Sequence, residues 1–426
     1  MTTVSRARFA GSYYDSSSCR YPDIPTLNSD LDIDVAIVGG GITGLSTALQ
    51  LADRGISSAV FESETFAFGA SGRSGGQLLV GFNESTADLS RLVGSQAADQ
   101  LWQLSIDALA LTRDYIGRYQ IDCDLQRGAL TLATHHPKQR QALIQNQRAL
   151  EAKGIATQLL EGAALRDAID SPQYSLGLME STSGHLHPKN YCLGLARAAL
   201  SRGVQLFDHS PIDHVQTGDS MRLTRGPHRI RAQRVVLAGN AYIGNLVPEL
   251  ARPILPVTSH IIATEPLTTP LIACQAACSD LAFLLHYFRM SNDGRLLLGG
   301  RPGVWGRNEA MSTHILHQRM CQLFPQLAQT AIDYSWGGKV AVTQPQMPDI
   351  RRLSPNLWAA QGYSGHGMAL AGLAGQVIAG AVDGDNQAIA LFERVRHQQF
   401  PTHPAIRSGL AQWGMLWYRI RELTGL

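Results

Sequence analysis

Short β-branched runs alternate with helically spaced apolar residues along most of this chain. Ile33, Val35, Ile37 and Val38 predict a strand that three consecutive glycines interrupt. Leu45, Ala48, Leu49 and Ala52 then recur at helical spacing up to Gly55, and SAVFE at 58–62 predicts a second strand. The order strand, glycine turn, helix, strand over 33–62 is that of a parallel β-α-β unit with a right-handed crossover. Leu101, Leu104, Ala108, Leu111 and Tyr115 predict a helix over 96–119, and a weaker apolar stripe predicts another over 138–153. Strands are expected at 128–134 and 155–159. Gly184 to Pro188 predicts a turn before a helical stretch at 191–203, which strands at 204–207 and 234–239 follow. Segments 257–264, 283–290 and 295–300 have no long helix between them, which suits an antiparallel sheet in a second, α+β domain. A short strand at 357–360, a glycine loop at 362–367 and an apolar helix close the α/β pattern.

Composition narrows the class. At 426 residues the chain exceeds what one core usually serves, so two domains are expected. Apolar residues make up 44% and charged residues 16%, enough to bury a large core. A net charge of +2 without a dense Lys/Arg tract argues against a nucleic-acid partner. The six cysteines are scattered and form no CxxC unit, which suits reduced thiols in a cytoplasmic protein and no bound metal. The N-terminus has no apolar targeting core. The apolar run 367–382 contains four glycines and is short for a membrane span, so a buried helix is expected and no transmembrane segment. The C-terminal segment LAQWGMLWYRIREL either packs on the body or makes a weak peripheral contact with a membrane surface.

The chemistry begins at the glycine turn. Gly39, Gly41 and Gly44 form GxGxxG, with Gly40, Ile42 and Thr43 completing the cradle. In that pattern the glycines allow a tight turn, close approach of a pyrophosphate and close helix packing, and the helix start offers unpaired N–H groups to phosphate. Glu62, followed by Ser63, closes the second strand, where a carboxylate can accept hydrogen bonds from ribose hydroxyls and would repel a 2′-phosphate. FAD or NAD fits this better than NADP. A second glycine-rich element, FGASGRSGGQ at 68–77, lacks the Lys-Ser/Thr ending of a nucleoside-triphosphate loop. Ala70, Ser71, Gly72, Arg73, Ser74, Gly75, Gly76 and Gln77 in it suit a flavin-covering loop, the alternative being an ordinary surface loop.

Ordered segments carry a family resemblance over nearly the whole chain: SYYDSS at 12–17, DVAIVGGGITGLSTALQLADRG at 34–55, FGASGRSGGQ, GHLHPKNYCLGLARAA at 184–199, FRMSNDGRLLLGG at 288–300 and GYSGHGMALA at 362–371. They resemble the FAD-dependent D-amino-acid oxidase superfamily, and more narrowly the gamma-glutamylputrescine oxidase type. The resemblance implies an α/β fold, a Rossmann-type FAD-binding domain with a second α+β substrate domain containing an antiparallel sheet. It divides the chain into FAD-binding segments 1–90, 166–248 and 336–426 and substrate-domain segments 91–165 and 249–335. It also implies that Gly365, His366, Gly367 and Met368 approach the flavin, where helix-end N–H groups favour negative charge on the reduced ring. His366 is the candidate catalytic hydrogen bonder, with a structural role as its alternative.

Two departures bear on the substrate. Ser291 stands where glycine-oxidase-like relatives carry a carboxylate-binding arginine, and Ala369 where sarcosine-oxidase-like relatives carry a lysine. Both point away from a free amino acid toward an amine with a more distant recognition group. Arg289 is either a carboxylate ligand or a strand-end charge, and Trp336 and Tyr363 are the better pocket candidates. The segment 337–350 lacks the cysteine that tethers FAD in the sarcosine oxidase branch, so noncovalent FAD is expected, with Thr343 a polar contact and Lys339 a weaker candidate. The expected reaction oxidises a small amine by hydride transfer to flavin N5 and reduces O2. Amino-acid dehydrogenation toward a quinone or other acceptor, or a nonenzymatic flavin-binding subunit, are the alternatives.

Overall fold

The computed structural model describes residues 7–401 except 219, 245, 283–284 and 301–307, so the C-terminal aromatic segment and Trp305 lie outside the described residues. Leu31–Val38 runs through the middle of the first sheet. It pairs in parallel with Ser58–Phe61 on one side and His228–Leu237 on the other, and Gln205–Phe207 and Leu357–Gln361 extend the parallel set outward. Asp349–Ser354 closes one edge antiparallel, and Met221–Arg225 with His214–Gln216 form an antiparallel flap on His228–Leu237.

Parallel strands covered on both faces become continuous apolar runs rather than alternating ones. Val35, Ala36 and Ile37 show this: all are fully buried, with Val35 and Ile37 facing a helical core and Ala36 an opposite core that holds Phe61, Leu223 and Leu237. On the first face, Ile42–Asp53 lies against Gly367–Val382, which also contacts Ser95–Arg118. Gly367–Val382 is buried on nearly every side. No helix among the described residues is long and apolar enough to cross a membrane.

The second sheet runs in the order Ile332–Thr343, Ile254–Thr264, Leu296–Gly300, Tyr287–Met290, Ala277–Asp280, Gln126–Ala133, Leu176–His185 and Gln77–Leu78, with Thr157–Leu160 also on Leu176–His185. Its pairs are antiparallel except Ala277–Asp280 with Gln126–Ala133, so the sheet is mixed. It draws Gln77–Leu78 and Leu176–His185 from within the intervals 1–90 and 166–248, and so reaches into the segments around the glycine turns.

The structure corrects one local expectation and adds two elements that the pattern does not show. Residues 184 and 185 belong to a strand, and the turn begins only where His187 caps Pro188–Ser201 by accepting from Asn190 N at 3.1 Å. Leu176–His185 was not legible because its centre is polar; buried Glu180 accepts from Thr182 N at 2.7 Å and from Ser183 N at 3.0 Å, which satisfies the carboxylate inside the sheet. Glu309–Leu323 is helical despite its weak stripe because Leu316, Met320 and Leu323 reach the second core. Cys278 is in the strand Ala277–Asp280, Cys274 precedes it, and all six thiols are free.

Candidate cofactor site

The glycine turn sits where Leu31–Val38 leaves the sheet. Gly39 takes φ +116°, and a Cβ there would stand 2.7 Å from the Ala238 carbonyl oxygen. A Cβ on Gly44 would stand 2.0 Å from the Gly39 carbonyl oxygen, so the helix can begin this close to the strand only with glycine. Gly41 caps Ile42–Asp53 without a side-chain hydrogen bond, which leaves the helix start available to an anion. Ser71 closes over this turn, its Oγ accepting from Ile42 N at 3.0 Å.

Glu62 is held in place by several donors. One carboxylate oxygen accepts from Gly40 N at 2.7 Å, and the other from Ser63 Oγ at 3.1 Å and Glu64 N at 3.0 Å. These bonds fix the acid at the rim of a cavity of about 430 Å³ that joins the glycine turn and Glu62 to Ser71, Ser74, Tyr363, Gly365, Gly367 and Met368. Two helix starts thus border one cavity: His366 caps Gly367–Val382, again without a side-chain hydrogen bond, and both Gly365 and Gly367 line the space. Tyr363 joins the two ends by bonding Thr43, Oη to Oγ1 at 2.7 Å. Burial pushes its phenol well above the usual tyrosine range, with the Thr43 bond opposing.

The second glycine-rich loop divides into a side facing the cavity and a side facing the second sheet. Ala70, Ser71 and Ser74 line the cavity, and Ser74 Oγ lies 3.1 Å from Met368 Sδ. Gly72 packs on the Ala67 carbonyl, Arg73 donates through Nε to Phe68 O at 2.9 Å, and Gly75 meets the Tyr287 ring. Gly76 O accepts from Leu186 N at 2.9 Å, while Gln77 pairs with His185 and donates to Cys278 O at 2.9 Å. The same loop therefore lines the cavity and joins the second sheet.

Other predicted residues stand farther from the space. Thr343 is buried and donates to Met347 O at 2.6 Å, and Lys339 lies over the Tyr242 ring at 5.3 Å. His366 is half-buried and is not among the residues lining the cavity; desolvation pushes its imidazole below the usual histidine range, with a Gly81 backbone contact opposing. Trp336 donates to Arg73 O at 3.0 Å and meets Tyr14 edge-on, and buried Arg289 donates to Gly75 O at 2.8 Å. Of the three pocket candidates, only Tyr363 lines the cavity. Sequence reasoning missed Asn240, whose Oδ1 accepts from Gly362 N at 2.9 Å, and Tyr242, which lines the cavity. The strand-then-glycine run VVLAGNAY was a usable signal for both, whereas Tyr14 had none beyond its place in a matching segment.

The donor set fits a flavin dinucleotide: a carboxylate for a ribose, an open helix start for a pyrophosphate, and a second helix start for the electron-rich edge of the ring. Fold and site together define an FAD-dependent oxidoreductase. The model of the FAD dependent oxidoreductase (DAO) family matches residues 34–381, and the chain belongs to that family. It is 38% identical over 396 residues to the probable oxidoreductase OrdL of Haemophilus influenzae, covering 90% of this chain and 91% of that one. It is 34% identical over 423 residues to the gamma-glutamylputrescine oxidoreductase of Escherichia coli K12, covering 97% and 99%. The crystal structure of glycine oxidase from Geobacillus kaustophilus shares the fold with a TM-score of 0.74 at 24% identity, covering 86% of this chain and 99% of that one. The chain is thus an FAD enzyme acting on CH–NH or CH–NH2 groups.

Proposed function

We propose that this protein oxidises a small amine, gamma-glutamylputrescine or a related polyamine derivative, with O2 as the electron acceptor and H2O2 as a product. The observation that carries the reading is the near end-to-end similarity to the gamma-glutamylputrescine oxidoreductase of Escherichia coli, 34% over 97% of this chain. The site residues support it. Ser291 donates to Asp293 at 2.6 Å, and Ala369 is buried within Gly367–Val382, so neither position offers a cation to a carboxylate beside the reacting carbon. FAD is held noncovalently in this reading, which rests on the absence of a cysteine from 337–350, the segment that matches the tethering one of the sarcosine oxidase branch.

Glu62 would hold the ribose, the start of Ile42–Asp53 the pyrophosphate, and Ser71, Ser74, Gly365 and Gly367 the ring end. Bound FAD supplies the two-electron acceptor for a hydride from the carbon beside the amine nitrogen. The chain's part is to orient that carbon and exclude water, which needs no nucleophilic serine or cysteine. Tyr363 and Thr43 keep the two helix starts in register, and Trp336 backs the loop that faces the cavity.

The test is anaerobic mixing of the purified flavoprotein with gamma-glutamylputrescine, putrescine and a panel of amino acids. Bleaching of the flavin by gamma-glutamylputrescine, followed by rapid reoxidation in air, is the expected result. Bleaching by amino acids with slow oxygen turnover would favour the dehydrogenase reading, and none with any donor would refute amine oxidation. For the cofactor itself, E62Q is expected to weaken FAD binding roughly 10- to 100-fold, the worth of a hydrogen bond to a charged group. Equilibrium dialysis of the deflavinated protein measures it.

A further inference from the structure

Arg289 is an anomaly on the interior of the second sheet. It is only 4% exposed, yet among the described residues it forms no ion pair. Its guanidinium instead donates to Gly75 O at 2.8 Å, Met290 O at 3.2 Å and Tyr14 Oη at 3.2 Å. Burying a charge without a counterion is costly, so retaining one here calls for a role. Three of its five N–H donors, one on each guanidinium nitrogen, are already committed to these oxygens, among them the Nε–H that the side-on fork to a carboxylate needs.

The contacts show what it holds. Trp336 donates to Arg73 O at 3.0 Å, so two residues of the second sheet grip the carbonyls on either side of Ser74. Ser74 is the residue between them that lines the cofactor cavity, against Met368. Tyr14 braces both grips: it accepts from Arg289 and stands edge-on to Trp336 at 5.2 Å and to His187 at 4.9 Å. Asp124 feels the Arg289 charge without bonding to it, its carboxyl being raised by burial first and drawn back by Arg289, while burial and then Arg289 hold His185 and His187 down to about 3, so both imidazoles are neutral.

We propose that Arg289 is a positioning residue for the reaction: with Trp336 it clamps the backbone around Ser74 against the cofactor cavity, and its buried charge, which no direct ion pair neutralises among the described residues, favours the more negative, reduced state of the cofactor. This goes beyond the choice of amine, because the clamp acts on the cofactor loop whichever substrate is oxidised. A guanidinium keeps its charge and offers a fixed fork, while an ammonium keeps only the charge. The two contributions are therefore separable.

The experiment compares R289K and R289M holoenzymes with the parent, measuring the midpoint potential of bound FAD by dye equilibration, and kcat and KM with whichever amine reduces the flavin. R289M is expected to bind reduced FAD at least about tenfold less favourably relative to oxidised FAD, a drop of about 30 mV for a two-electron couple. R289K is expected to stay within about twofold on that ratio. Both variants should lose kcat, by up to about 100-fold as for other small misplacements near the reacting centre, with little change in KM. A KM rise with kcat and potential unchanged would make Arg289 a substrate contact and overturn the proposal, as would an R289M enzyme with parental values. If R289M does not fold, R289K decides: loss of kcat at parental potential and KM supports the clamp, and parental kcat overturns it. The potential needs no amine, so failure here is distinguishable from failure of the substrate assignment.

Discussion

Gly44 and Glu62 work as a pair at opposite sides of the turn, one by having no side chain and the other by the placement of its carboxylate. Both were legible in the sequence because spacing along a strand-turn-helix-strand unit fixes where they fall. Tyr14, His187 and the grip of Arg289 on Gly75 were not, because each joins residues far apart in the chain. His187 also shows how burial fixes a tautomer: Nδ1 accepts from Asn190 N, so Nε2 carries the proton and donates to Ser17 Oγ at 3.0 Å. His185 and His187 titrate near 3 in the folded protein, through burial first and the Arg289 charge second. An unfolded histidine titrates near pH ~6.5. As pH falls below that value the unfolded chain takes up protons that the folded one refuses, so stability is full above about 6.5 and is lost progressively toward 3. Urea midpoints should therefore fall between pH 7 and pH 5, with a slope of up to about 1.4 kcal/mol per pH unit for each histidine. H187Q should flatten the profile, and an unchanged slope would show that His187 does not contribute.

Helix Gly367–Val382 is where an element's sequence and its packing agree most closely. Its apolar run predicts a buried helix, and the reason for its small residues becomes visible only against Ile42–Asp53. A Cβ on Gly375 would stand 2.6 Å from Thr47 N and 2.7 Å from Ser46 Cβ, backbone and side chain of the helix that begins the cofactor turn. Ser46 bonds Gly372 O at 2.8 Å across the same contact. G375L should therefore force the two helices apart and destabilise the fold by about 1–3 kcal/mol, as overpacking does. It should also loosen FAD, since both helix starts border the cavity. Chemical denaturation and cofactor release read the two effects, and retention of both at parental values would mean that the contact is dispensable. Strand Leu176–His185 is the opposite case. Its polar centre hides it from pattern reading, and bonds to Glu180 and Ser183 make it tolerable inside a sheet.

At the scale of the molecule, residues 70–78 are shared property: Ser71 and Ser74 line the cavity proposed for the cofactor, while Gln77–Leu78 is an edge strand of the second sheet. A ligand filling the cavity should therefore stabilise the whole fold. Free FAD at 100 times its dissociation constant is expected to add about 2.7 kcal/mol to the deflavinated protein and raise its melting temperature accordingly. A melting temperature insensitive to FAD would remove the cavity from consideration as the cofactor site. The sequence by itself determined the β-α-β unit, the acid that closes it and the buried helix Gly367–Val382, because these rest on local periodicity and on spacing within one short stretch. Tertiary structure alone decided the mixed pairing of the second sheet, the two-sided grip on Ser74 and the burial of Arg289, because each depends on strands far apart in the chain meeting in register, a condition that no local pattern encodes.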